Sequence, residues 1–239
     1  MSEIKIFNTP EILSLETALY LNLLTKEFIN NHGHVNIALS GGSTPKKLFE
    51  VLKESYLNVI NWEKISFYWV DERCVSPDNP ESNFGEADRI LFKYLPDKSN
   101  IHRIKGEDDP DSESERYSDL LKNNLKSENG FPVLDLILLG LGEDGHTASI
   151  FPDQMQLLLS DKICKVAFNP YSGQKRITLT GKVLNNAKNL IFMVTGKNKA
   201  KVVKNILDGN KESINYPASY IKNENEVIWY IDKEAGSFL

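Results

Sequence analysis

Apolar residues in this chain fall into short continuous runs, separated by longer stretches in which they recur at helical spacing. The runs at 35–39, 65–70, 134–139, 163–168, 190–194 and 227–231 predict strands. Several lack the alternation of a half-exposed strand, as expected where both faces of a parallel sheet are covered. Between them, 10–28 carries Ile12, Leu15, Leu19 and Leu23 on one face, and 45–52, 83–91 and 198–207 are further predicted helices. Strands alternating with helices imply right-handed crossovers and a three-layer α/β/α fold on a mostly parallel sheet. In such sheets ligands gather beyond the carboxyl ends of the strands. The acidic, turn-rich segment 106–113 reads as a surface loop capping a helix that carries Tyr117, Leu120, Leu121 and Leu125. A single domain over residues 1–239 is therefore expected.

Three polar clusters stand at predicted strand ends. The first strand runs into Ser40, Gly41, Gly42, Ser43, Thr44 and Pro45, with helix following. Thr44 is placed as an N-cap and Pro45 at the first helical position, where its missing N–H is harmless. Glycines let the backbone approach a ligand, and the helix start favours an anion. A capped strand-to-helix turn with no ligand would look much the same, and the spacing of a Walker loop is absent. The second cluster, Asp71, Glu72 and Arg73, sets three charges beside a buried strand, costly unless paired or working. Taken alone it reads more readily as a solvated ion-pair corner. Asp78 to Asn83 then forms a turn into a helix, with Ser82 or Asn83 as cap.

The third cluster is Gly140, Leu141, Gly142, Glu143, Asp144, Gly145, His146, Thr147, Ala148 and Ser149. Asp144 and His146 stand two apart around a glycine. A carboxylate there can fix the imidazole tautomer and raise its basicity, which is what a general base near neutral pH needs. The other histidines, His32, His34 and His102, show no metal-ligand spacing. Cys74 follows Arg73 but reads as a buried structural thiol rather than a nucleophile. Later cations are Lys175, Arg176, Lys197 and Lys199. A lysine at a helix start opposes the dipole, so Lys199 is better explained by an anion nearby.

Composition narrows the classes. The chain has 239 residues, 41% apolar and 26% charged, which is ordinary for a globular protein. Its 28 Lys and Arg against 33 Asp and Glu give a net charge of -5, which argues against nucleic acid as a partner. Two cysteines, Cys74 and Cys164, make no disulfide framework. The first residues lack a basic region followed by an apolar stretch, and no apolar run is long enough to span a bilayer, so a cytoplasmic location is expected.

Together the clusters resemble the 6-phosphogluconolactonase family. The matching motifs are Ser40 to Pro45, Asp71 to Arg73, Ser82-Asn83, Gly140 to Ser149, Arg176 to Thr180 and Tyr216 to Ser219, in the family's order over nearly the whole chain. The wider group includes glucosamine-6-phosphate deaminase and shares a three-layer, sugar-phosphate isomerase-like fold. The resemblance implies hydrolysis of 6-phospho-D-glucono-1,5-lactone to 6-phosphogluconate, the second step of the oxidative pentose phosphate pathway, without cofactor or metal. It implies a sugar-phosphate lactone as the partner, no membrane, and a monomer. Deaminases typically carry an aromatic residue where this chain has Arg73, and a glutamate soon after the histidine, where this chain reads Thr147 to Pro152. Both departures favour the lactonase. One segment, Asn169 to Lys175, departs from the lactonase pattern, which often holds a further proline and arginine there; Lys175 is read as the substitute.

On this basis His146 is assigned as general base and Asp144 as its orienting partner. Arg73 serves either the oxyanion or the phosphate. Arg176, Lys199 and the amides of Gly41, Gly42, Ser43 and Thr44, with Ser40 beside them, are assigned to the phosphate and sugar. Asp71 either binds ring hydroxyls or positions Arg73. A sugar-phosphate isomerase or deaminase is the enzymatic alternative. A sugar-phosphate-sensing regulator is the other, and the single helical pattern before Val35 leaves little room for its DNA-binding helix pair.

Overall fold

The computed structural model of the chain describes residues 3–222 and 227–239. In order it forms β1 (Glu3–Phe7), α1 (Pro10–His32), β2 (Val35–Leu39), α2 (Ser43–Val51), β3 (Ile65–Trp69), β4 (Asp71–Arg73) and α3 (Asn83–Ile90). There follow α4 (Pro110–Asn124), β5 (Ser127–Glu128), β6 (Phe131–Pro132), β7 (Leu136–Leu139), β8 (Cys164–Phe168) and β9 (Lys175–Leu179). The chain ends with α5 (Gly181–Asn185), β10 (Leu190–Val194), α6 (Ala200–Leu207) and β11 (Val227–Asp232). Strands β1, β11, β10, β7, β2 and β3 lie side by side in that order, every neighbouring pair parallel. Every residue of β3, β7, β10 and β11 is buried, which is why their sequences read as continuous apolar runs.

A second sheet, β4–β9–β8, is antiparallel and was not foreseen as a sheet. Val70 joins the two: its N–H donates to the Leu39 carbonyl at 3.0 Å, and its carbonyl accepts from the Leu179 N–H at 2.7 Å. The chain thus leaves the carboxyl end of β3 and enters β4 within one residue. The cluster expected to be a polar loop, Asp71 to Arg73, is itself a strand, and pairing Arg73 with Arg176 is a consequence of its register. Strand alternation then sends Asp71 and Arg73 to one side and Glu72 to the other.

The apolar face expected of α1 points the wrong way. Ile12, Leu15, Leu19 and Leu23 are 37–57% exposed, while Leu13, Thr17, Ala18, Leu21, Leu24 and Thr25 are buried. Both faces are apolar enough to satisfy helical periodicity, so spacing alone does not choose between them. The hydroxyls on the buried face are satisfied within the helix: Ser14 donates to the Pro10 carbonyl at 2.9 Å and Thr17 to that of Leu13 at 2.8 Å. These small residues let α1 sit close on the sheet.

The starts of α1 and α3 fall where the sequence places them, while α2 begins at Ser43, α6 at Ala200, and α5 has no counterpart among the expected helices. Ser82 caps α3, accepting from the Gly85 N–H at 2.9 Å, and Asp109 caps α4 ahead of Pro110. Thr44, however, is not the cap of α2. The cap position is Gly42, Thr44 lies inside the helix, and its hydroxyl bonds that of Thr195 at 2.8 Å. The first turn of α2 therefore has no side-chain cap. No described helix is long and apolar enough to cross a membrane.

Candidate active site

The turn after β7 is tied to itself. Gly142 N–H donates to the His146 carbonyl at 2.8 Å, and the Thr147 hydroxyl to that of Gly140 at 2.9 Å. A Cβ on residue 142 would stand 2.1 Å from His146 Nδ1, so only glycine lets the ring lie over this loop. Ala218 N–H donates to the Gly145 carbonyl at 3.0 Å, so the segment from Tyr216 to Ser219 acts as a buttress behind the turn. Ala148 takes a left-handed φ of 49°, a strained state for a residue with a side chain and one that concentrates at functional sites.

His146 Nδ1 lies 2.5 Å from Asp144 Oδ1, and the His146 backbone N–H reaches the same oxygen at 3.1 Å. Burial pushes the Asp144 carboxyl upward, but the hydrogen bonds and charge of His146, with help from Tyr171, outweigh it and bring it down to about 2. An ionised carboxylate only accepts, so Nδ1 must carry the proton and Nε2 is left as the basic nitrogen. The ring leans on Phe151, centroids 4.6 Å apart, and the Arg176 guanidinium lies over the Phe151 ring, 5.6 Å from its centroid. Phe151 is fully buried and was missed as a site residue. Nothing in the sequence distinguishes it from other core aromatics.

Two cavities meet at His146. The inner one, about 110 Å³, is lined by Ser40, Gly41, Asp71, Arg73 and Arg176 together with the 140–148 turn. The Nε atoms of Arg73 and Arg176 are both buried there without a hydrogen-bond partner among the described residues. Burial disfavours the Arg176 charge, Asp71 opposes that, and Arg73 adds repulsion. Two crowded guanidiniums with free donors call for an anion. Asp71 is aligned with Arg176, not Arg73: Ser149 Oγ donates to Asp71 Oδ2 at 2.6 Å, and Arg176 Nη1 donates to Ser149 Oγ at 3.4 Å. Asn83 holds the floor, donating to the Asp71 carbonyl at 2.9 Å and lying so close to Gly41 that a Cβ there would meet its Oδ1 at 1.9 Å. Glu72 works behind the wall. Its carboxylate accepts from the backbone N–H groups of Arg73, Asn83 and Phe84 and from the Ser82 hydroxyl, at 2.7–3.0 Å.

The outer cavity, about 520 Å³, is lined by Gly142, Glu143, Asp144, His146, Tyr171 and Lys199. Burial pushes the Lys199 ammonium down, against the charges of Glu143 and Asp144. Gly42, Ser43 and Thr44 line neither cavity, but the Thr44–Thr195 bond sets the uncapped start of α2 beside the segment that carries Lys199. Lys175 stands apart, in a cavity with Asp111, Lys122 and Asp161. It lines neither of the cavities that meet at His146. Burial pushes the Cys74 thiol up to about 11, in keeping with a structural thiol.

The family model for glucosamine-6-phosphate isomerases and 6-phosphogluconolactonase matches residues 8–229 of this chain. A 6-phosphogluconolactonase of Haemophilus influenzae is 45% identical over 204 residues, covering 84% of this chain and 86% of that protein. Among solved structures, a devB protein superposes with a TM-score of 0.93 at 41% identity over the full length of both chains. A 6-phosphogluconolactonase from Trypanosoma brucei gives 0.89 at 27% identity, over 100% of this chain and 99% of that one.

Proposed function

Since the chain belongs to the glucosamine-6-phosphate isomerase and 6-phosphogluconolactonase family and is a carboxylic ester hydrolase of the lactonase kind, we propose that His146 is the general base with which it opens 6-phospho-D-glucono-1,5-lactone. The observation that carries this is the 2.5 Å contact of His146 Nδ1 with a carboxylate that stays ionised, beside two guanidiniums whose buried Nε atoms lack a partner among the described residues.

In this reading Nε2 takes a proton from water, and the water oxygen bonds to the lactone carbonyl carbon. The developing oxyanion meets Arg73, with Arg176 completing the anion site and Asp71 and Ser149 holding Arg176 in place. The ring C–O bond then breaks, and the imidazolium returns its proton to the departing ring oxygen. The product is 6-phosphogluconate, and the step is the second of the oxidative pentose phosphate pathway. At the far end the phosphate sits between Lys199 and the free amides at the start of α2, where a helix dipole and an ammonium act together. Every group comes from one chain, and the monomer is taken as the working unit.

The test supplies freshly generated lactone and, separately, glucosamine 6-phosphate, and measures acid formation and ammonia release. Acid from the lactone above the spontaneous rate, without ammonia, is the expected result. Ammonia without lactone hydrolysis overturns the reading.

A further inference from the structure

The segment in which this chain departs from the lactonase pattern places an additional group on the catalytic pair. Tyr171 stands at the tip of the β8–β9 hairpin and is 75% exposed. An aromatic side chain so exposed gains little from burial. Yet its hydroxyl donates to Asp144 Oδ2 at 2.9 Å, 27 residues away in sequence.

The hairpin tip is built to hold that reach. Asn169 Oδ1 accepts from the Tyr171 N–H at 2.9 Å and the Ser172 N–H at 3.2 Å. Gly173 N–H closes on the Asn169 carbonyl at 2.8 Å, and Asn169 N–H on that of Gln174 at 2.9 Å. Gln174 Nε2 then ties the tip to Glu81 Oε2 at 3.0 Å, and the Glu81 carbonyl takes the Arg73 guanidinium. The tip is thus linked to Asp144 in the outer cavity and, through Gln174 and Glu81, to Arg73 in the inner one.

The two oxygens of Asp144 have separate tasks. Oδ1 is occupied by the ring and backbone of His146. A carboxylate held at one oxygen remains free to rotate about its Cβ–Cγ bond, and rotation would turn Oδ1 off the imidazole. A donor on Oδ2 stops it. We propose that Tyr171 is a positioning residue of the reaction: from the β8–β9 hairpin its hydroxyl locks the Asp144 carboxylate in the orientation that aims His146. The proposal rests on the reading of His146 as the base. Donation to Asp144 also pushes the Tyr171 phenol above its usual range, which favours the protonated donor.

Tyr171→Phe keeps the ring and removes only the donor. It should lower kcat roughly 3–10-fold while KM changes less than about twofold, since the lost bond is one charge-assisted hydrogen bond in a partly exposed place. The second readout is the His146 Nδ1–H proton by NMR, which should exchange faster with solvent in the variant than in the wild-type protein. A loop serving shape alone would change KM and leave that proton as it was. An unchanged kcat, or an identical His146 signal in the two proteins, overturns the proposal. Retention of the full rate by His146→Ala would instead sink the base assignment, while the NMR comparison would still report whether Tyr171 orients the pair.

Discussion

Each end of the parallel sheet carries at least one histidine, a carboxylate and a cavity, and only one end is equipped for chemistry. At the amino ends of β2, β3 and β7, a cavity of about 440 Å³ gathers His32, His34 and His102 with Asp135, three of the four histidines in the chain. Its carboxylate is already satisfied: Asp135 Oδ2 accepts from Asn36 at 2.8 Å, and Lys188 pairs with Oδ1 at 2.9 Å. His34 bonds a neutral hydroxyl, Ser66 Oγ at 2.9 Å, and His102 stacks on Tyr68. Burial pushes both imidazoles down, toward the neutral form. At the carboxyl end the lone His146 has an ionised partner, two guanidinium Nε donors without a partner among the described residues beside it, and a strained residue two positions on. What separates the two is not the number of histidines or the size of the cavity. It is whether polar groups are left over after the fold has satisfied its own.

The largest effect should come from His146→Ala, a loss of about 10²–10⁴ in the lactonase rate with the fold intact by circular dichroism. Lys199→Ala should act on binding, raising KM about tenfold with kcat little changed, because a phosphate contact is made equally in ground and transition states. An unchanged KM would remove Lys199 from the phosphate site. The paired variant His34→Gln/His102→Gln sharpens the contrast from the other end: its kcat/KM should stay within about twofold of wild type. A tenfold loss there would make the amino-end cavity part of the machinery.

The smallest effect concerns Cys74. A thiol at about 11 is protonated at pH 8 and becomes reactive only as pH rises toward that value. Alkylation at pH 8 should therefore run roughly 10²-fold slower than for a free cysteine, and Cys74→Ser should leave activity unchanged. Rapid modification at neutral pH would contradict the burial of this thiol.

Legibility followed the locality of each constraint. The Asp144–His146 pair was readable because its glycines, carboxylate and imidazole lie within one turn after an apolar run. The parallel strands were readable because burial on both faces leaves unbroken apolar sequence. The face of α1 was not, since Leu13 and Leu21 have the same spacing as Leu15 and Leu23, and only the sheet beneath decides between them. Arg73 and Arg176 were singled out one at a time, but their juxtaposition depends on the β4–β9 register, which joins segments about a hundred residues apart and leaves no local pattern. The capping expected of Thr44 failed for a similar reason, because its partner, Thr195, lies on another strand's end. Phe151 is not marked off in sequence from other core aromatics, and Tyr171 is not marked because its partner, Asp144, lies 27 residues away.

The central claim is that the Asp144 carboxylate sets the proton on His146 and so makes it a base. Asp144→Asn tests this most directly, because it keeps the shape of the site and changes what the imidazole is bonded to. The account predicts a fall in kcat of at least about 10²-fold for lactone hydrolysis, with KM within a few fold of wild type, as expected when the wrong ring nitrogen is protonated. A kcat within about twofold of wild type would contradict it.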